Sequence, residues 1–335
     1  MLRLPPYQYH VPGSLAQAVE LLARHAGDVM PIAGGTDLVP NMKHGLFTPG
    51  HLVALSRVPE LRGVELLPGG LRIGATMTLA DVAVHPLVRA HAPSLADAAG
   101  RVAGPQLRSA GTIGGNLCLD TRCTYYNQSR FWRSALGYCL KKDGDTCHVT
   151  KVGRKCVAAH SADTPPVLMT LGASMELAGP GGTRSHRVGD FFIADGIWNN
   201  VREPDELVTS ITVPLPPAGR FAAFEKLRQR GSIDFPLLNV AVAGELNDDG
   251  TIAELRVIVS GLGSRPRVVS GLIDIAAGQA PTAELLDAVA ERAHAQCHPL
   301  DNMIVDPEWR RAMVPVYVRR ALRRALDASE AAQAA

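Results

Sequence analysis

Five of the six cysteines fall in residues 118–160: Cys118, Cys123, Cys139, Cys147 and Cys156. Thiolates bind soft and borderline metals, so such crowding raises metal chemistry first. Four residues separate Cys118 from Cys123, then fifteen, seven and eight separate the later cysteines in turn. No CxxC turn occurs, which disfavours a small structural zinc knuckle, and the CxxCxxC run of bacterial ferredoxins is absent too. Four cysteines from separate turns of one segment can still surround a cubane iron–sulfur cluster, because such a cluster needs four thiolates and no fixed spacing. Cys118 stands two residues past Asn116, in a glycine-rich loop that constrains it, and reads as a small buried residue. Cys123, Cys139, Cys147 and Cys156 are therefore the expected metal ligands. Cys297 lies in a distant helix-like stretch and reads as a core thiol. His148 and His160 read as surface or neighbouring residues rather than ligands.

The composition of the same stretch suits an anionic guest. It holds eight basic residues (Arg122, Arg130, Arg133, Lys141, Lys142, Lys151, Arg154, Lys155) against three acidic ones (Asp120, Asp143, Asp145). A [4Fe–4S] centre on four thiolates is negatively charged, and nearby cations and N–H donors stabilise it and tune its potential. Tyr125, Tyr126, Phe131, Trp132 and Tyr138 concentrate there as well, and are expected to shield a cluster or to pack an otherwise polar loop.

The elements flanking this stretch must position it. A short apolar strand over residues 29–33 runs into Gly34-Gly35-Thr36-Asp37-Leu38. Thr112-Ile113-Gly114-Gly115-Asn116 repeats the theme. Paired glycines at the end of an apolar segment let backbone approach a ligand and offer N–H groups to phosphate oxygens. Two such loops suggest two walls of a pyrophosphate-and-ribityl pocket. Neither matches a GxGxxG dinucleotide site or a P-loop. An acidic-proline segment, Asp163-Thr164-Pro165-Pro166, closes the cysteine stretch.

The rest of the chain alternates short strands and helices. Ser14 is an N-cap for a helix with Leu15, Val19 and Leu22 on one face, stopped at Gly27. Strands are expected at 52–55, 71–75, 174–177 and 206–214, and helices from about Thr78, Pro93 and Pro166. Gly104 and Pro105 break the second of these helices, and residues 179–182 form a hairpin turn. The proline-rich residues 214–219 mark a domain boundary. Beyond it come a hairpin over 240–260 and helices near 268–277, 282–296 and 307–327, the last with Arg319, Arg320, Arg323 and Arg324 on a solvated face.

The whole chain bounds these readings. Its 335 residues suffice for two or three domains, and its net charge of +2 gives no reason to expect nucleic acid or a charged membrane surface. No apolar run reaches a membrane span, and Pro5 and Pro6 stand where a signal peptide needs an apolar core. A cytoplasmic protein without disulfides is expected.

In order along the chain, Ala33-Gly34-Gly35-Thr36-Asp37-Leu38, Thr112-Ile113-Gly114-Gly115-Asn116 and Asp163-Thr164-Pro165-Pro166 resemble the FAD-binding (medium) subunit of the xanthine dehydrogenase/CO dehydrogenase molybdenum hydroxylase family. The resemblance covers nearly the whole chain. It implies an α+β fold: a PCMH-type FAD-binding domain of two subdomains over 1–218, and a C-terminal α+β domain of the CO dehydrogenase flavoprotein type over 219–330. It implies FAD contacts from Pro31, Ile32, Ala33, Gly34, Gly35, Thr36, Asp37 and Leu38 around the pyrophosphate. Thr112, Gly115 and Asn116, with Val102, Ala103 and Leu107, form the second loop. Asp163 meets the ribityl chain or nearby hydroxyls, and Lys226 corresponds to a basic residue near the flavin ring. The family's acidic run after that lysine is replaced here by Arg228-Gln229-Arg230-Gly231-Ser232, which argues against NAD reduction at the flavin.

The segment 118–160 is longer than the same region in most of the family. It resembles the β subunits of 4-hydroxybenzoyl-CoA reductases, closely so over residues 120–129. That resemblance implies a [4Fe–4S] cluster in the insertion. It further implies a molybdopterin-binding large subunit where substrate reacts, a small subunit with two [2Fe–2S] clusters, a dimer of such heterotrimers, and ferredoxin as electron donor. Electrons would run inward through the cluster and FAD to molybdenum. The rival expectations are another hydroxylase of the family, with electrons running outward, an insertion that holds zinc, and a docking subunit that has lost FAD.

Overall fold

The computed structural model describes residues 2–150 and 154–333; Lys151 lies outside them. Three sheets organise the molecule. The first is parallel, with β1 (Gln8–His10), β2 (Val29–Ile32) and β3 (His51–Ala54) in the order β1-β3-β2. Ser14 caps the helix Leu15–Arg24 by accepting the Gln17 N–H, and Ala18 and Leu22 bury against Val53. Gly27, at φ +86, turns the chain into β2. β2 then delivers Gly34 and Gly35 at its C-terminal end, where loops of parallel strands gather ligands.

The second sheet is antiparallel, with β4 (Val64–Leu67), β5 (Gly70–Gly74), β6 (Ser174–Gly179), β7 (Gly182–Arg187) and β8 (Leu207–Val213) in the order β4-β5-β8-β6-β7. Helices Leu79–Val84, Pro93–Gly100 and Thr164–Thr170 supply the apolar faces that share its core. The third, also antiparallel, holds β9 (Arg220–Leu227), β10 (Leu238–Leu246), β11 (Ile252–Ser260) and β12 (Arg267–Val268). The first seven residues of β10 are all buried, because both faces of this sheet are covered. Phe224, Ala241, Ala243 and Ile258 join the core of the second sheet. Val240, Val242 and Val257 pack under helices Ala283–Gln296 and Pro307–Gln333.

Several expectations are corrected here. β4 and β9 are strands that local pattern did not reveal. The expected helix over 268–277 is instead the end of β12 followed by a single turn, Ile273–Ala276. Gly271, at φ +71, breaks any helix there. The arginine face of the last helix is not simply solvated. Arg319 pairs with Asp287 and Glu291 of the preceding helix, while Arg324 reaches Asp97 at 2.9 Å and Glu225 at 3.0 Å.

Candidate functional site

A cavity of about 690 Å³ opens where the two glycine loops meet. Their meeting depends on Gly34, since a Cβ there would overlap the Ala110 carbonyl of the second loop. Gly35 adopts φ +68, which a side chain strains. In the second loop Thr112 caps the helix Ile113–Leu117 by accepting the Gly115 N–H at 3.1 Å. A Cβ on Gly115 would come within 4 Å only of that same Thr112 hydroxyl, so this glycine faces open cavity. Asn116 accepts both the N–H (3.1 Å) and the hydroxyl (2.7 Å) of Thr164, which ties the second loop to the Asp163 segment.

Fifteen of the expected contacts line this cavity: Pro31 to Leu38 without a break, Val102, Ala103, Leu107, Thr112, Gly115, Asn116 and Asp163. Lys226 does not. It sits behind Asp163 in β9, with Nζ 2.6 Å from Oδ2, while Asn239 of β10 donates to Oδ1 at 2.9 Å. Burial pushes the Asp163 carboxyl up and the Lys226 ammonium down, and their contact opposes both shifts. Asp37 is likewise pushed up by burial, against the pull of Arg122, whose guanidinium pairs with it and lies 3.9 Å over the Phe235 ring.

The far wall was missed from sequence: Trp198, Asn199 and Asn200 on one loop, and Ile233, Asp234 and Phe235 on another. Ala103 and Ile233 hold positive φ (42 and 74) and are joined by an Ile233 N–H to Ala103 carbonyl bond of 3.0 Å. Such strain clusters at ligand sites. Only the adjacent asparagines in a loop gave a signal in the sequence.

A second, much smaller cavity, about 20 Å³, lies beside the first and is lined by Cys123, Cys139, Cys147 and Cys156. Cys118 instead lines the large cavity, and Cys297 is buried in the core beneath the last two helices. All six are free thiols. No three of the four gathered sulfurs lie within 4.8 Å of one another. A single zinc ion, with Zn–S near 2.3 Å, holds its sulfurs roughly 3.8 Å apart. No three of the four sulfurs therefore stand at the spacing of a single zinc ion.

Burial pushes the Cys123 thiol up to about 11 and raises Cys156 as well. At Cys147 burial also raises the thiol, but polar groups of Thr150, Val149 and Val157 outweigh it and lower the value. Gly196 is required here, because a Cβ would stand 2.9 Å from the Cys156 sulfur.

Tyr126 and Lys141 line both cavities. Lys141 Nζ lies 4.5 Å over the Tyr126 ring and donates to Asp120 at 2.6 Å and to the Gly196 carbonyl at 2.7 Å. The Tyr126 hydroxyl donates to the other Asp120 oxygen at 2.9 Å. Two aromatic expectations are corrected: Phe131 is 84% exposed and Trp132 is half-exposed, so neither shields the cysteines. Tyr125 and Tyr126 do line the cysteine cavity. His148 joins it too, its Nε2 donating to the Tyr138 carbonyl at 2.6 Å, whereas His160 is buried elsewhere against Phe192.

Residues 5–216 match the family described as the FAD binding domain in molybdopterin dehydrogenase, and residues 222–325 match the CO dehydrogenase flavoprotein C-terminal domain. The chain belongs to this family of flavin subunits. It is 29% identical over 318 residues to the carbon monoxide dehydrogenase medium chain of Hydrogenophaga pseudoflava, covering 95% of this chain and 96% of that one. It is 33% identical over 278 residues to the aldehyde oxidoreductase FAD-binding subunit of Escherichia coli, covering 80% and 83%. The solved carbon monoxide dehydrogenase of H. pseudoflava superposes with a TM-score of 0.81 at 28% identity, over 97% of this chain and 99% of that one.

FAD is thus the cofactor of this subunit of a molybdenum-hydroxylase-type oxidoreductase. The large cavity fits it: its volume falls in the range of cofactor sites, two glycine loops bring backbone to its wall, and Asn116 and Asp163 supply side-chain oxygens. No helix among the described residues is long and apolar enough to cross a membrane.

Proposed function

We propose that this flavin subunit carries a second redox group, a [4Fe–4S] cluster on Cys123, Cys139, Cys147 and Cys156, and relays electrons between it and FAD. One observation carries the reading: four cysteines separated in sequence line one cavity, and Tyr126 and Lys141 line both it and the flavin cavity. Pro31 to Leu38, with Thr112, Gly115 and Asn116, would hold the pyrophosphate. Asp163, fixed by Lys226 and Asn239, would take a ribityl hydroxyl. Lys141, which lines the cysteine cavity, would offset the negative charge of the cluster. The cofactors supply the electron transfer, and the residues set geometry and potential.

The inserted cysteines favour a 4-hydroxybenzoyl-CoA-reductase-like complex. In it a molybdopterin subunit removes a phenolic hydroxyl as water, giving benzoyl-CoA, with reduced ferredoxin as donor and a small subunit carrying two [2Fe–2S] clusters. The same architecture would also serve a hydroxylase with outward electron flow, as the names of its carbon monoxide and aldehyde oxidising relatives suggest.

Iron, acid-labile sulfide, zinc and FAD counted in the anaerobically purified chain test the reading. About four iron and four sulfide with one FAD are expected, from the cubane composition. Zinc without sulfide would overturn the relay and leave a flavin subunit with a structural insertion. Cys139→Ser should lose the iron and keep FAD; unchanged iron would refute the ligand set. Gly115→Val should lose flavin while keeping iron, because the side chain would occupy the cavity, and normal FAD occupancy would refute that placement.

A further inference from the structure

Three histidines remain outside both cavities, at one corner of the first sheet. His10 ends β1, His25 caps the helix Leu15–Arg24, and His51 opens β3. The parallel register sets Gln8 opposite His51 and His10 opposite Val53. Strand alternation therefore puts His10, His51 and Val53 on one face. That is the face the helix covers, since Val53 is buried with Ala18 and Leu22. The helix ends at the same corner, and two backbone bonds lock it there: Asp28 N–H to the His25 carbonyl and His51 N–H to the Asp28 carbonyl, both 3.0 Å.

The three half-buried rings are stacked, with centroids 3.7 Å apart for His25 and His51 and 5.2 Å for His10 with either. One nitrogen of each falls within 4.8 Å of the other two, and His10 Nε2 lies 2.9 Å from His51 Nδ1. Among the described residues, this is the one set of three metal-ligating side chains so closely gathered.

We propose that His10, His25 and His51 form a binding site for a divalent first-row transition ion of the zinc or copper class, with a fourth position open to solvent. Imidazole suits these ions, and three imidazoles with one open position are a recurrent zinc donor set. Metal–nitrogen bonds of roughly 2.0 to 2.1 Å put tetrahedral nitrogens roughly 3.4 Å apart. The one nitrogen pair at 2.9 Å would open slightly and the others lie within 4.8 Å, so small turns of the three rings would bring the nitrogens to that spacing. None of the three histidines lines the flavin cavity. A bound ion would clamp β1, the helix and β3 without entering the flavin cavity.

The test uses the full-length, FAD-loaded chain, stripped of loosely held metal with a chelator, exposed to zinc chloride and desalted. Wild type should retain one zinc per chain more than His25→Ala or His51→Asn, at equal FAD content. All three share every cysteine, so the difference reports the histidines. Zinc should raise the thermal midpoint of wild type and leave that of the variants unmoved. Cobalt(II) should give visible bands free of thiolate charge transfer in wild type only. Equal zinc retention, or a cobalt spectrum of thiolate character alone, overturns the site. Should His51→Asn fail to fold, seen as lost FAD, His10→Gln on the edge strand carries the same comparison.

Discussion

At the scale of the residue, burial without a partner makes His160 a pH-sensitive position that neither cofactor cavity uses. Its ring is fully buried edge-on to Phe192, and neither ring nitrogen has a hydrogen-bond partner. Burial holds its pKa at about 3, against 6.5 when exposed. The unfolded chain therefore takes up this proton first. Stability is full above pH 6.5 and falls as the pH drops from there toward 3, by about 1.4 kcal/mol per unit. At pH 5 the loss is about 2 kcal/mol. His160→Phe should keep the packing on Phe192 and remove that part of the acid sensitivity. Urea unfolding of both proteins at pH 7 and pH 5 measures it, and an unchanged pH dependence would exclude His160 as the cause. Single residues were the most legible scale of the site. Fifteen of the sixteen flavin contacts implied by the resemblance line one cavity and the four expected cysteines line the other, since the glycine loops and the clustered thiols are short, local patterns. Lys226 was expected near the flavin ring, and it stands behind Asp163 instead of lining the cavity. Its task, holding Asp163, depends on a strand pairing that no local pattern announces.

At the scale of the element, the insertion holds its four cysteines with little regular structure, so its anchors decide its shape. Its one described helix, Arg130–Ala135, is capped by Ser129, whose hydroxyl accepts the Trp132 N–H. Arg133 turns inward from that helix and is 1% exposed. It donates to the carbonyls of His44 at 2.8 Å and Gln128 at 3.3 Å. His44 ends the helix Leu38–Lys43 that follows the first glycine loop, so a cation there also answers the negative end of the helix. The guanidinium thus ties the cysteine insertion to the flavin loop. Arg133→Met keeps the volume and leaves those carbonyls unpaired, which should cost about 3 kcal/mol. The expected readouts are a lowered urea midpoint and faster proteolytic cutting within residues 118–160. Cutting rates equal to wild type would show that the anchor lies elsewhere. Arg133 stood in the sequence only as one of eight basic residues, because the His44 carbonyl it reaches lies 89 positions away.

At the scale of the whole molecule, the proline-rich linker suggests two separable domains, while the packing joins them. The sheet built from β9 to β12 gives one face to its own helices and the other to the core of the flavin-binding part. Phe224, Ala241, Ala243 and Ile258 lie in that shared core with Leu95, Val167 and Leu168. The polar connections follow the same course. Lys226 and Asn239 satisfy Asp163 from across the boundary, and Arg324 reaches back to Asp97. A fragment of residues 1–218 would therefore expose the apolar underside of the flavin domain. It would also leave Asp163 buried or half-buried with neither of its partners, at the wall of the flavin cavity. Such a fragment is expected to aggregate or to bind hydrophobic dye, and to purify without FAD. Co-expression with residues 219–335 should restore flavin, and the intact chain should unfold in a single transition seen equally by flavin release and far-ultraviolet circular dichroism. A soluble 1–218 fragment holding one FAD would instead mean that the first two sheets build the site alone, with Lys226 and Asn239 only stiffening a carboxylate already in place.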